Sequence, residues 1–287
     1  MPERTAVDEG TPHRTWQQPR SWNGPKPHVA LERARRGLAS EWIKMLTLRS
    51  MVWSLIATFV IGAGLAYALA AGFRSDLSHP GLLHSWDPIF GTFYSLSFAQ
   101  LPLVAFGVML VGSEYSSSTI RASLVAVPCR GLLYVFKIAA GAGVAFGVSC
   151  ATAVATFFAA ETGLGPFGIH LSSPGALQGL VGSILYLTLM CLLAAGLAML
   201  LRSSALSLGI LLPFLLLESQ GLGNVPQLKG VMEYLPANAG MVIMHIYGQD
   251  RPGFAYPYGP WAGIGILAVW TAAALLAGWL SFRMRDA

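Results

Sequence analysis

Glu114, Ser118 and Arg121 recur at i, i+4 and i+7, so on a helix they share one face, while Tyr115, Ile120 and Leu124 lie elsewhere on the cylinder. They belong to the stretch 112–137, GSEYSSSTIRASLVAVPCRGLLYVFK, a polar interval between two long apolar runs. Val127 precedes Pro128, and a residue before proline avoids the α region, which predicts that this short helix ends there. Arg130 and Lys137 follow, leading into the next apolar run. Such a set makes and breaks no covalent bonds. A short amphipathic helix bearing both charge signs is either an ordinary solvated loop or a handle on which a soluble partner pushes.

Other chemistries lack their residue sets. There is no GxxxxGK[ST] run to cradle a nucleotide's phosphates, so the chain is expected to hold no nucleotide of its own and not to act as an enzyme. HExxH and GxSxG are missing too, which leaves intramembrane or lipid hydrolysis without a visible catalyst. His79 and His84 stand five apart, and Met241, Met244 and His245 cluster further on. A soft metal suits thioether and imidazole, but methionines at helical spacing serve packing equally well, and no metal site is expected. Cys129, Cys150 and Cys191 have no CxxC spacing and read as small hydrophobes.

The elements that position these residues follow from composition. Hydrophobic residues make up 54% of the 287 and charged residues only 11%, with a mean hydropathy of +0.58. The charges gather at the ends and in short polar intervals, the pattern of an all-α, polytopic membrane protein. The net charge of +5 has no basic stripe interleaved with aromatics, so no nucleic acid is expected as a partner. Six runs approach the roughly 20 apolar residues that a hydrocarbon core requires: 51–72, 89–112, 132–159, 177–201, 204–217 and 261–282. The fifth is short and contains Pro213, which predicts a kink or a break there. The centres of these runs carry no Asp, Glu, Lys, Arg or His, which argues against ion-coupled transport and for an apolar or amphipathic cargo.

Residues 1–28 lack apolar periodicity and read as a disordered tail without a cleavable signal peptide. In 29–50, Leu31, Ala34, Leu38, Trp42 and Met45 recur at three- and four-residue steps, with Arg33, Arg35, Arg36 and Lys44 elsewhere and Arg49 at the junction. That pattern predicts an interfacial amphipathic helix anchored on membrane lipid, ahead of a transmembrane domain spanning 51–287. Of the 18 lysines and arginines, 15 fall on the side that holds both termini and the 112–137 stretch, which makes that side cytoplasmic. Trp53 and Trp279 then mark the inner interface and Trp86 and Trp261 the outer one. The longest external interval, 218–260, is dense in apolar residues, and 231–234 and 240–247 read as short half-inserted helices split by Pro236. Gly143 with Gly147, Gly62 with Gly64 and Gly263 with Gly265 are small-residue steps at which helices approach, within the chain or between chains.

Glu114-Tyr115, then Ser118-Thr119-Ile120-Arg121, Leu124, Pro128, Arg130 and Lys137 together resemble a segment of permease subunits of type-2 ATP-binding-cassette exporters. In that family it follows the second transmembrane helix and lies near or forms the coupling helix that docks on the nucleotide-binding partner. Where the family usually has glycine before Thr-Ile-Arg, this chain has Ser118. The resemblance extends loosely over 30–285. It implies a six-span permease in the plasma membrane, paired with a second permease chain of the same or another kind. ATP and Mg would be bound by a separate ATPase subunit, with 113–130 as coupling segment and Glu114, Tyr115, Ser118, Arg121 and Arg130 as contacts. It also implies an interfacial connecting helix before the first span and re-entrant elements between spans five and six. Two other readings stay open from the residues alone: a membrane scaffold or sensor that recruits a cytoplasmic partner, and a secondary carrier.

Overall fold

The computed structural model describes residues 39, 42–45, 47–77, 86–116, 130–220, 229–246 and 256–284; for 113–116, 130, 218–220 and 229 only the backbone is considered. Every regular element among them is helical. In chain order these are α1 (Arg49–Leu77), α2 (Pro88–Phe93), α3 (Leu96–Ser116), α4 (Arg130–Leu164), a 3-10 turn (Gly165–Phe167), α5 (Ala176–Leu201), α6 (Ser204–Gln220), α7 (Lys229–Met232), α8 (Pro236–Met241), a second 3-10 turn (Val242–Met244) and α9 (Pro260–Met284).

Among the described residues, five helical stretches are long and apolar enough to cross a membrane: Arg49–Leu77, Pro88–Gly112, Gly131–Phe167, Ala176–Leu201 and Pro260–Met284. Ser204–Leu217 is apolar but shorter. The surface supports the same conclusion. Trp53, Val60, Phe146, Phe158, Val269 and Leu276 all face outwards, alongside a buried core of Phe93, Phe106, Phe157, Tyr186, Leu187 and Met190. A bundle as apolar outside as inside matches lipid tails rather than water, so this is a membrane protein.

The two most extensive helix pairs are α1 on α4 and α5 on α9; α3 lies against both α1 and α5, and α4 also packs on α5. Small residues bring the axes together. A Cβ on Gly62 would stand 2.5 Å from Thr152 Cγ2, and one on Gly196 2.7 Å from the Ala274 carbonyl carbon. Gly64, Gly147 and Gly265 face open space, so the Gly62/Gly64 and Gly263/Gly265 pairs each have one packed member. The 143–147 step packs no helix against α4; beside Gly143 lies the Trp42 ring, 3.5 Å from where a Cβ would stand.

The helices depart from the sequence expectations in two places. A kink or a break was expected at Pro213, and α6 runs through it without a break. The second run is broken instead, at Tyr94–Ser95 between α2 and α3. There Ser97 supplies both its amide (3.1 Å) and its hydroxyl (2.7 Å) to the Tyr94 carbonyl, while Ser95 Oγ leaves its own helix for the Gly62 carbonyl of α1 at 2.9 Å. Hydroxyls competing for backbone groups weaken and bend a helix at such a point.

Candidate functional site

At one end of the bundle, here the basic end, α3 finishes and α4 begins. Glu114 and Tyr115 lie in the last turn of α3, so the helix that starts the polar stretch continues the span before it. Arg130 is the first residue of α4. Ser118, Arg121 and the rest of 117–129 lie outside the described residues, as does the expected end at Val127. Of the anchoring set, Arg33, Arg35 and Arg36 also lie outside them. Trp42, Lys44 and Arg49 are exposed and Met45 is buried in the core, so Trp42 and Met45, expected on one apolar stripe, differ in exposure.

Three contacts tie the basic end together. Tyr134, one turn into α4, donates its hydroxyl to the Leu275 carbonyl of α9 at 2.7 Å and packs on Trp279 with ring centroids 5.4 Å apart. Gly112 of α3 abuts the first residue of α6, where a Cβ would stand 2.6 Å from Ser204 Cβ. Arg202 caps α5 in the left-handed region (φ 55°), a conformation that costs a non-glycine residue about 1–2 kcal/mol. Its backbone N–H still reaches the Ala198 carbonyl at 2.9 Å, and its guanidinium donates to the Ser281 carbonyl of α9 at 2.8 Å. Glycine is the usual residue at such a cap, and the arginine adds a tether that glycine lacks. Lys137, read from sequence as part of the polar interval, is buried within α4 at 4% exposure. The antiparallel register that sets Leu110 against Gly141 places position 137 level with position 114.

At the opposite end, α7, α8 and the second 3-10 turn form a cap folded into the bundle. The expected short helices are present with a shifted boundary. The second one starts at Pro236 rather than 240, because proline suits the first helical turn, where its missing N–H costs nothing. Residues 236–244 are all buried, among them Met241 and Met244, which pack in the hydrophobic core. Their methionine spacing therefore serves packing. Gly240 sits on the Tyr186 ring (2.5 Å from a Cβ to Cδ2), and Gly182 admits Ile243. Beneath the cap, Tyr186 donates to Gln100 Oε1 at 2.5 Å and Gln100 Nε2 donates to the Ser97 carbonyl at 2.9 Å, all fully buried.

Asp87 fastens the rim of the cap. Its Oδ1 accepts from the Ile89 and Phe90 amides at 2.9 and 3.3 Å, an N-cap for α2 with Pro88 at the first turn. Its Oδ2 meets His245 Nδ1 at 2.9 Å, across 158 residues of sequence. Burial pushes the Asp87 carboxyl up, but the hydrogen bond and charge of His245 and the two amides together outweigh it and hold the carboxyl below its ordinary 3.8. Trp270 Nε1 of α9 donates to the Tyr234 carbonyl at 2.9 Å, and the Tyr258 hydroxyl donates to the Glu233 carbonyl. Burial first, then the neighbouring Tyr256, Glu233 and Tyr234, pushes the Tyr258 phenol up. His170 and Glu161 form a second, more exposed pair at 2.6 Å.

Compared with known proteins, the chain matches no protein-family model and no curated protein. Sequence reasoning singled out neither Asp87, Gln100, Tyr134, Tyr186 nor Arg202. Gln100 and Tyr186 carried a signal, polar groups inside otherwise apolar runs, whereas the long-range partners of the other three become visible only on folding.

Proposed function

We propose that the chain is the permease subunit of an ATP-binding-cassette exporter in the plasma membrane, moving a hydrophobic or amphipathic cargo with ATP hydrolysed by a separate subunit. The observation that carries this reading is the polar stretch from Glu114 to Arg130. It is bracketed by the end of α3 and the start of α4, on the side that collects 15 of the 18 basic residues. At about 1.5 Å per residue the 35 residues of α4 run roughly 50 Å, well beyond a hydrocarbon core of about 30 Å. A helix of that length suits a stalk reaching toward a cytoplasmic partner. In this reading Glu114, Tyr115, Ser118, Arg121 and Arg130 meet the ATPase, and ATP-driven closure of two ATPases acts through that segment on a pair of permease chains.

Two further features support it. The buried cap has the character of a re-entrant element, irregular backbone tolerated at membrane depth only where protein surrounds it. An open apolar groove of about 650 Å³ runs beside it along α9, lined by Ala262, Gly265, Ile266, Val269, Trp270 and Ala273. It offers the kind of wall from which a path between two chains is built. Α scaffold or sensor that recruits a partner through the same segment predicts binding without cargo-dependent stimulation.

The test is coexpression with the candidate ATPase and purification through a tag on this chain, with Glu114→Ala and Arg121→Glu beside the parent. The ATPase is expected to copurify with the parent, and both variants, normally inserted, are expected to retain several-fold less of it or to uncouple its activity. No ATPase with the parent, and no difference in the variants, would sink the exporter reading.

A further inference from the structure

We propose that Tyr134 is a positioning residue that transmits movement of the basic end to the cap, through α5 and α9 moving as one body. This deepens the exporter reading, but its test needs no ATPase. The argument begins with α5 and α9. Gly196 brings α5 against the Ala274 carbonyl of α9, Gly278 of α9 lies 2.8 Å (from a Cβ) from the Gly196 carbonyl oxygen, and Thr271 Oγ1 donates to the Leu189 carbonyl at 3.2 Å. At their basic end Arg202 closes the pair on Ser281. Helices with backbones in contact do not slide past one another without breaking that packing.

The cap is fixed chiefly to this pair, with Asp87 at its rim. Gly182 and Tyr186 of α5 hold Ile243 and Gly240, Gly263 of α9 admits the Ala239 carbonyl, and Trp270 of α9 holds the Tyr234 carbonyl at 2.9 Å. Inside α9 there is no proline after Pro260, so nothing interrupts the rod. By contrast α4 packs chiefly on α1, next on α5 and only sparsely on α9. A hydrogen bond from the Tyr134 hydroxyl to the Leu275 carbonyl joins it to α9, stiffened by the Trp279 ring. Tyr134 lies four residues after Arg130, where the 117–129 stretch enters α4. Leu275 to Gly263 is 12 residues, about 18 Å of helix. A displacement of the start of α4 therefore pulls on α9 at Leu275, and the other end of that rigid pair carries the cap.

The experiment uses the full chain alone in lipid nanodiscs. Cys129→Ser and Cys150→Ala remove two of the three thiols while buried Cys191 stays, and Val231→Cys, an exposed position of the cap, serves as reporter. The rate of labelling by a membrane-impermeant maleimide is measured in this background, with Tyr134→Phe, with Trp279→Leu and with Ser54→Ala. The last removes a hydroxyl bonded only within its own helix, to the Met51 carbonyl. Loosening α4 from α9 is expected to change the Val231→Cys labelling rate about threefold or more in Tyr134→Phe, within the roughly 2- to 30-fold range of side-chain coupling, with the helical circular dichroism unchanged. Trp279→Leu is expected to act in the same direction, and Ser54→Ala to leave the rate alone. An unchanged rate in both Tyr134→Phe and Trp279→Leu, or an equal change in Ser54→Ala, overturns the proposal. If Tyr134→Phe does not fold, Trp279→Leu decides. If labelling responds as expected while no ATPase ever copurifies, the transmission stands and the exporter reading falls.

Discussion

The Tyr186–Gln100 bond tests how the floor of the cap is held. Both residues are fully buried, and Gly240 of the cap lies on the Tyr186 ring, which excludes water from the bond. Tyr186→Phe keeps the ring and deletes the donor, leaving Gln100 Oε1 without its 2.5 Å partner. In a soluble core such an orphaned acceptor costs about 1–3 kcal/mol. Hydrogen bonds between membrane helices average only about 0.6 kcal/mol, with a maximum near 1.7, because the unfolded chain in a micelle finds other partners. Full burial puts this bond toward the upper end, about 1.5 kcal/mol. Gln100→Leu strands the hydroxyl at a similar cost, partly offset by added apolar surface. The double variant removes both polar ends, so its loss is expected to fall short of the sum of the single losses by about 1 kcal/mol. The assay is reversible unfolding in mixed dodecyl maltoside and SDS micelles, followed by far-ultraviolet circular dichroism, for the four members of the cycle. Additivity within about 0.3 kcal/mol would refute the reasoning, since independent sites add to that accuracy.

Asp87→Ala removes both an N-cap and the His245 contact, and a loss of about 1–2 kcal/mol in the same unfolding assay is expected. Asp87 also sets a pH dependence. Its folded carboxyl titrates below 3.8, so its contribution is present above that value and is lost as pH falls through the lower folded value. Asp87→Asn should flatten that acid limb in an unfolding series from pH 6 to 2.5. At Arg202 the expectation reverses the ordinary helix order: Arg202→Ala keeps the left-handed strain and loses the Ser281 tether, whereas Arg202→Gly loses only the tether. The glycine variant should be the more stable by about 1 kcal/mol, measured in the same micelles. Gly263→Leu has no room beside the Ala239 carbonyl, and overpacking there should cost about 1–3 kcal/mol, read as a lowered unfolding midpoint beside a neutral Gly265→Leu.

Much of the architecture was legible before folding because a bilayer imposes simple rules on a chain. Apolar runs near 20 residues become helices since nothing else satisfies their backbone in lipid, and that alone located the five long helical stretches and the shorter run at 204–217. Local backbone chemistry was read less well. Pro213 was expected to kink or break its helix and does not break it, whereas the second run breaks at Tyr94–Ser95 without proline, where Ser95 bonds a carbonyl on another helix. That partner lies 33 residues away and has no local signature.

The same division runs through the candidate site. Composition and residue spacing determined a helical membrane chain, a polar segment at 112–137, an apolar stripe ahead of the first span, and an apolar interval with short helices about Pro236. Those follow from one-dimensional pattern, since hydropathy and periodicity are properties of neighbours in the chain. Only the tertiary structure decided that Met241 and Met244 are core, that His245 answers Asp87, that Tyr186 answers Gln100, and that Tyr134 and Arg202 hold α9. Each of these pairs joins groups 79 to 158 residues apart, except the two methionines, whose fate was set by the helices around them. A side chain's partner depends on which helices lie side by side, and that is fixed by small residues such as Gly62, Gly196 and Gly263 letting backbones touch.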